Sequence, residues 1–226
     1  MDVNKYADYL ISKGIYDDVI NHENETLYDN MACICVDLVL SINRKYYDFV
    51  VPRVKHFQDT YQDVRTLKEI LNLINHIGTE NFASVWNYNH LQRVLLLENV
   101  VSYLNQLHEK LSKNNYTDNE IEVLRKWAKE VSLKDNEFMR IKGIGVATAQ
   151  YLRILLGVDT VKPDVHIKSS LNEVYNKKFS DAQAIETIEA VSHILKVNVR
   201  SVDKFVWKLR ASNSGNEIVW KNNQWE

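Results

Sequence analysis

Breakers are scarce in this chain. Two prolines and six glycines are spread over 226 residues, which argues against a loop-rich or many-stranded fold. Cysteine is limited to Cys33 and Cys35. With no set of four thiolates, an iron–sulfur cluster is excluded. Residues two apart on a helix do not face each other, so buried free thiols are favoured over a metal or redox pair. No apolar run reaches membrane-spanning length, and Met1-Asp2-Val3-Asn4-Lys5 is no signal peptide. The expected protein is soluble, cytoplasmic (nucleoid-associated if bacterial) and monomeric. Strong charge of either sign is also missing. The net charge is -2 and the pI about 6.4, which excludes a globally basic nucleic-acid binder.

What is present is apolar and helix-forming. Hydrophobic residues make up 45% of the chain, enough for a sizeable core in one domain or two intimate lobes. Abundant Leu, Ile, Lys, Glu and Asn predict a mainly helical fold. Charge is unevenly placed. Residues 1–30 hold two bases and seven acids, and residues 139–178 hold seven bases and three acids. The second region suits a phosphate-binding face, and equally an ordinary solvated surface.

Apolar spacing predicts helices over Tyr6–Ile20, Met31–Val51, Val64–Ile77 and Leu91–Leu111. Pro52 marks a break or a first turn, and Gly78 a helix stop. Thr117 with Glu120, and Ser180 with Gln183, read as capping boxes. A short helix is expected over Lys134–Arg140 and a longer one over Val146–Leu156, stopped by Gly157. Ser201 reads as the cap of a last helix. Ile218 to Trp225 reads as a short strand or an extended arm.

Between the short and the longer helix lies Ile141-Lys142-Gly143-Ile144-Gly145-Val146-Ala147-Thr148-Ala149, with Lys162-Pro163-Asp164-Val165-His166-Ile167 downstream. Glycine in such a turn allows φ > 0 and removes the side chain that blocks close approach. A helix starting there points free N–H groups at an anion. Phosphate held this way positions a duplex without reading its sequence. Asp164 suits either a helix N-cap or a carboxylate that offsets positive charge developing on a sugar.

The segment Ile141–Ile167 resembles the helix-hairpin-helix DNA glycosylase superfamily, the family of endonuclease III and the MutY adenine glycosylase. The family pattern is roughly L-P-G-hydrophobic-G-x-K-T-A followed by V-D-T-H-hydrophobic. The early Val36-Asp37-Leu38-Val39-Leu40-Ser41-Ile42-Asn43 is similar to the family helix ending in Leu-Ser-x-Gln. The resemblance implies an all-α, two-lobed fold with the helix-hairpin-helix at 134–157. One lobe would hold 25–157, and the other 1–24 with 158–226. Hairpin and Asp164 are expected near the cleft between them.

The resemblance also implies roles. Asp164 falls on the catalytic aspartate, which stabilises the oxocarbenium-like sugar and orients a water. Gly143, Ile144, Gly145, Val146 and Thr148 would face phosphate, with Lys142, Lys162 and Lys168 as charge contacts. Asn43 would help fill the hole left by a flipped base. Backbone carbonyls of Ile141 and Gly143 would be the site of a monovalent K+ or Na+, with no other cofactor. Ala147 stands where bifunctional members carry a Schiff-base lysine, which implies a monofunctional enzyme. His166 reads as structural. Trp86, Tyr88, Tyr46, Tyr47, Phe205 and Trp207 are candidate pocket faces, although core packing is the favoured account of each. The expected partner is double-stranded DNA, with no membrane. Three rivals stay open: a non-catalytic hairpin DNA binder, a glycosylase/lyase using a relocated lysine, and a helical interaction protein whose hairpin is only a turn.

Overall fold

The computed structural model describes residues 2–20, 28–113, 119–132 and 136–212. Among these the chain forms eleven α-helices and no strand, so it is all-α. In chain order they are α1 (Asn4–Ser12), α2 (Ile15–Ile20), α3 (Met31–Leu40), α4 (Val51–Thr60), α5 (Leu67–Ile77), α6 (Leu91–Ser112), α7 (Glu120–Glu130), α8 (Val146–Leu155), α9 (Val165–Tyr175), α10 (Asp181–Leu195) and α11 (Val199–Ser212). No described helix is long and apolar enough to cross a membrane. The chain divides into two compact units. One is Thr26–Val158, and the other joins Met1–Glu25 to Asp159–Glu226.

The larger unit is built round α3. Every residue from Met31 to Leu40 is buried. A helix apolar on all sides must be covered on all sides, and α4, α5, α6 and α8 pack on it. Asn30 caps it, its side chain accepting the Cys33 N–H at 2.9 Å. Cys33 and Cys35 are buried free thiols. Burial pushes the Cys33 thiol up to about 12 and that of Cys35 higher still, so neither is a working thiolate.

The helix expected over Met31–Val51 is in fact interrupted. It ends at Leu40, Asn43 takes a left-handed φ of 54°, and the chain resumes as a π-helical turn over Tyr46–Val50 that runs into α4. Arg93 of α6 donates to the carbonyls of Val39 and Ile42 at 3.3 and 2.8 Å, supplying partners that the helix end lacks. The apolar pattern hid the break because Ile42, Tyr46 and Phe49 still pack on the same core.

Capping explains the next boundaries. Thr66 and Glu69 form a complete capping box at α5. The N-cap of α7 is Asn119, which accepts the Glu122 N–H. Glu120, expected to close a box with Thr117, instead accepts the Leu67 N–H. Thr117 itself lies outside the described residues. The short helix expected over Lys134–Arg140 is a 3-10 turn over Glu137–Arg140, and Lys134 lies outside the described residues.

In the smaller unit the helix expected over Tyr6–Ile20 is split. Gly14 takes a φ of 87°, a region open to glycine at little cost, and α2 begins at the next residue. Tyr6 of α1 donates to the Ser170 hydroxyl of α9 at 2.7 Å. Lys208 of α11 pairs with Asp18 of α2 at 2.7 Å, with side chains 8% and 19% exposed. Ser180 and Gln183 form the expected box at α10. The last helix starts at Val199, so Ser201 sits inside it rather than capping it. The expected strand or arm at Ile218 to Trp225 lies outside the described residues.

Candidate functional site

The hairpin belongs to the larger unit. Ile144 is buried and Ile141 packs on the core, whereas Lys142, Gly143 and Gly145 are exposed. Two apolar anchors therefore hold a short polar loop at the surface. The turn closes through the Ile144 N–H on the Ile141 carbonyl at 3.0 Å. Gly143 has a φ of 98°. Gly145 occupies the N-cap of α8 with no side chain to cap it, and the first internal bond is Ala149 N–H to Gly145 carbonyl at 3.0 Å. Among the described residues the N–H groups of Val146, Ala147 and Thr148 have no acceptor. These are the orphan donors of a helix start, backed by its dipole.

The expected cation site rests on backbone carbonyls of this turn. The Ile141 carbonyl is already an acceptor for Ile144, and the Gly143 carbonyl takes no hydrogen bond among the described residues. The described residues contain no group of three or more His, Cys, Asp or Glu able to hold a metal.

Asp164 belongs to the smaller unit. It is the N-cap of α9, and its Oδ1 accepts the N–H groups of His166 at 2.8 Å and Ile167 at 3.2 Å. Its Oδ2 takes no hydrogen bond among the described residues. Its own N–H reaches back to the Lys162 carbonyl at 2.7 Å. Val161, Pro163 and Ile167 are buried on either side, so the half-buried Asp164 sits on a stiff, anchored turn. The cap reading is therefore established by geometry, and it leaves one carboxylate oxygen over.

A second carboxylate lies beside this turn. Asp203, half-buried on α11, accepts the Lys162 N–H at 2.9 Å. Burial, then the negative charge of Asp164, push Asp203 up to about 7, against the pull of the Lys162 N–H and the charges of Lys162 and Arg200. Sequence reading missed Asp203. The signal available was an acid in the first turns of a helix whose neighbours Val202, Phe205 and Val206 are all buried.

The remaining expected residues fall in several places. Lys168 is paired with Asp181 at 2.8 Å, its side chain 34% exposed, so its ammonium is already committed to a carboxylate. Lys162 is half-buried, its N–H held by Asp203. His166 meets the edge of Trp207 at 6.1 Å between centroids. In the larger unit Asn43 is exposed on the turn after α3. Ala147 lies in the first turn of α8. Of the candidate pocket aromatics, Trp86 is fully buried and Phe205 nearly so, both as core. Tyr46 instead donates to Asp37.

Across residues 17–211 the sequence matches a family described as a domain of unknown function, DUF8548. The chain belongs to that family. No curated protein and no solved structure matches it. The DUF8548 match opens in α2 and closes in α11, so it takes in the hairpin, the Asp164 turn and Asp203. These features thus belong to the DUF8548 region, not to a segment appended to it.

Proposed function

We propose that the protein is a monofunctional DNA glycosylase, hydrolysing the N-glycosidic bond of a damaged or modified base flipped out of duplex DNA. The observation that carries this reading is the division of the Asp164 carboxylate. One oxygen is spent on capping α9, which fixes the side chain, and the other has no protein donor among the described residues. A carboxylate held in that way suits the oxocarbenium-like sugar. The base leaves with the bonding electron pair and takes up a proton. Water then bonds to C1′ and gives up its own proton, leaving a free base and an abasic sugar. The hairpin suits the other half of the task, since its three free N–H groups and exposed glycines fit a phosphodiester.

Two further facts support hydrolysis over lyase chemistry. Position 147 carries a methyl group, and Lys168 is held by Asp181. The complete N-cap favours a second reading, a DNA binder without excision, because capping alone accounts for an aspartate at 164. Base release from duplexes each carrying one modified base separates the two. Wild type is run beside Asp164→Asn, with alkali to reveal abasic sites. Alkali-dependent breaks with wild type only support the glycosylase. Duplex binding with no release across the panel supports the binder. Borohydride-trapped protein–DNA adducts with wild type would reject the monofunctional mechanism.

A further inference from the structure

Three arginines of the larger unit gather at the break after α3 with no carboxylate paired to any of them among the described residues. Arg44 donates to the Asn43 carbonyl at 3.1 Å and to the Tyr88 hydroxyl at 2.6 Å. Arg53 lies over the Phe49 ring at 3.8 Å and donates to the carbonyls of Phe49 and Asn87 at 2.9 and 3.2 Å. Phe49 and Tyr88 meet edge to face at 4.8 Å, which brings both guanidiniums onto one aromatic pair. Burial draws the pKa of Arg93, bound to the α3 end, down, and the nearby Arg44 charge adds to this against the opposing pull of Tyr88.

Like charges so placed repel one another, and among the described residues they are held by neutral carbonyls, the Tyr88 hydroxyl and ring faces. Each guanidinium carries five N–H donors. Arg44 Nε and Arg53 Nη2 have no acceptor among the described residues. Two asparagines supply further donors. Asn43 and Asn87 have left-handed φ values of 54° and 53°, and their exposed side-chain amides have no partner among the described residues. Backbone held there costs of order 1 kcal/mol per residue and clusters at functional loops.

We infer that Arg44 and Arg53, with the amides of Asn43 and Asn87, form a phosphodiester-binding patch for a DNA strand, with Arg93 adding charge. Resting on the proposed reading of DNA as partner, it adds a second phosphate contact to the hairpin's. Guanidinium forks match phosphate oxygens. Donors spread over the turn after α3, the first turn of α4 and the loop at Asn87 suit a run of phosphates better than one caged ion. The local positive charge also resolves how an acidic protein would bind DNA, since attraction is set by the patch rather than by net charge.

The test is fluorescence anisotropy of a labelled DNA duplex against salt, using the full chain. Arg44→Gln/Arg53→Gln should weaken binding about tenfold and reduce the slope of log K against log salt by about two. Arg44→Gln alone, at an exposed side chain, should give about half that change in slope and covers the case in which the double variant unfolds. Lys110→Gln, in the last turn of α6 and roughly 25 Å along the helix from Arg93, is the charge-matched control and should change neither. Equal affinity and slope for wild type and Arg44→Gln would overturn the patch. So would displacement of the duplex by inorganic phosphate at matched phosphate concentration, which assigns it to a single anion. Tighter, equally Arg44-dependent binding of an RNA duplex would overturn DNA as the partner. A wild type that binds DNA through these arginines yet releases no base would sink the glycosylase and leave the patch standing.

Discussion

Tyr151 of α8 donates its hydroxyl to Asp37 Oδ1 at 2.8 Å, in the middle of a helix with no exposed face. Tyr28 and Tyr46 each donate to Asp37 Oδ2 at 2.9 Å. A buried carboxylate is tolerated only when its lone pairs are met, and three phenols from separate parts of the larger unit meet this one. Burial and the Asp37 charge raise all three phenols far above their ordinary value, so they stay donors at any working pH. The network ties α8, and hence the hairpin at its N-terminus, to α3.

Tyr151→Phe should therefore lower stability by about 2 kcal/mol, the range for a hydrogen bond to a charged group. Urea denaturation checks it, with an unchanged m-value expected. Tyr61→Phe is the control. Tyr61 stacks on Phe57, and its hydroxyl has no partner among the described residues, so a change within about 0.5 kcal/mol is expected. Equal losses in both would show that the network adds nothing.

Glu120 gives a pH-dependent prediction. Its two oxygens accept the Leu67 N–H at 3.2 and 3.0 Å, and burial pushes it up to about 7. A folded-state pKa above the unfolded value means that protonation favours the fold. The contribution is fully present below about 4.5 and is lost as pH rises through about 7. Glu120→Gln removes the ionisation and keeps an acceptor. Its thermal midpoint relative to wild type should climb between pH 4.5 and 7 and then level off. A difference independent of pH would show that Glu120 ionises normally in the folded protein.

Sequence pattern carried some of this further than the rest. The all-helical class followed from scarce breakers, and Ser180 with Gln183 gave a boundary because a capping box is local chemistry. The ends of α3 and the split at Gly14 were hidden, since apolar spacing continues across both breaks. Asp164 was legible as cap or catalyst because both uses want the same residue at the same place. Asp203 and the arginine patch were not legible. Asp203 matters through Lys162, forty-one residues before it, and Arg44 and Arg53 become neighbours only through Phe49 and Tyr88.

The two hairpin glycines should separate stability from binding. Gly143 has a positive φ, and a Cβ there would meet nothing nearer than Leu96 at 3.7 Å. Gly143→Ala should cost about 1 kcal/mol, all of it conformational. Gly145 has a φ of -113° and open space around it, so Gly145→Ala should leave stability within about 0.5 kcal/mol. If the backbone is approached by phosphate, Gly145→Ala should still weaken duplex binding, by roughly tenfold as judged from one lost charge-assisted contact. Unchanged binding in a normally folded Gly145→Ala protein would remove the hairpin from the interface.

The Asp164–Asp203 pair is open to direct titration. Burial is the larger reason for the raised Asp203 value and the Asp164 charge the second. Asp164→Asn removes only the second. Asparagine caps a helix about as well as aspartate, so α9 should keep its start and stability should move by no more than about 0.5 kcal/mol. In carbon-detected NMR the Asp203 carboxyl should titrate near 7 in wild type and lower, yet still above ordinary carboxylates, in Asp164→Asn. The matching stability change follows from the sign of the shift. Wild type should lose stability as pH rises from about 4 to about 7 at this site, while Asp203→Asn, which keeps an acceptor for the Lys162 N–H, should not. An Asp203 titration unmoved by Asp164→Asn would mean that the two carboxylates do not sense each other. The raised Asp203 value would then rest on burial alone.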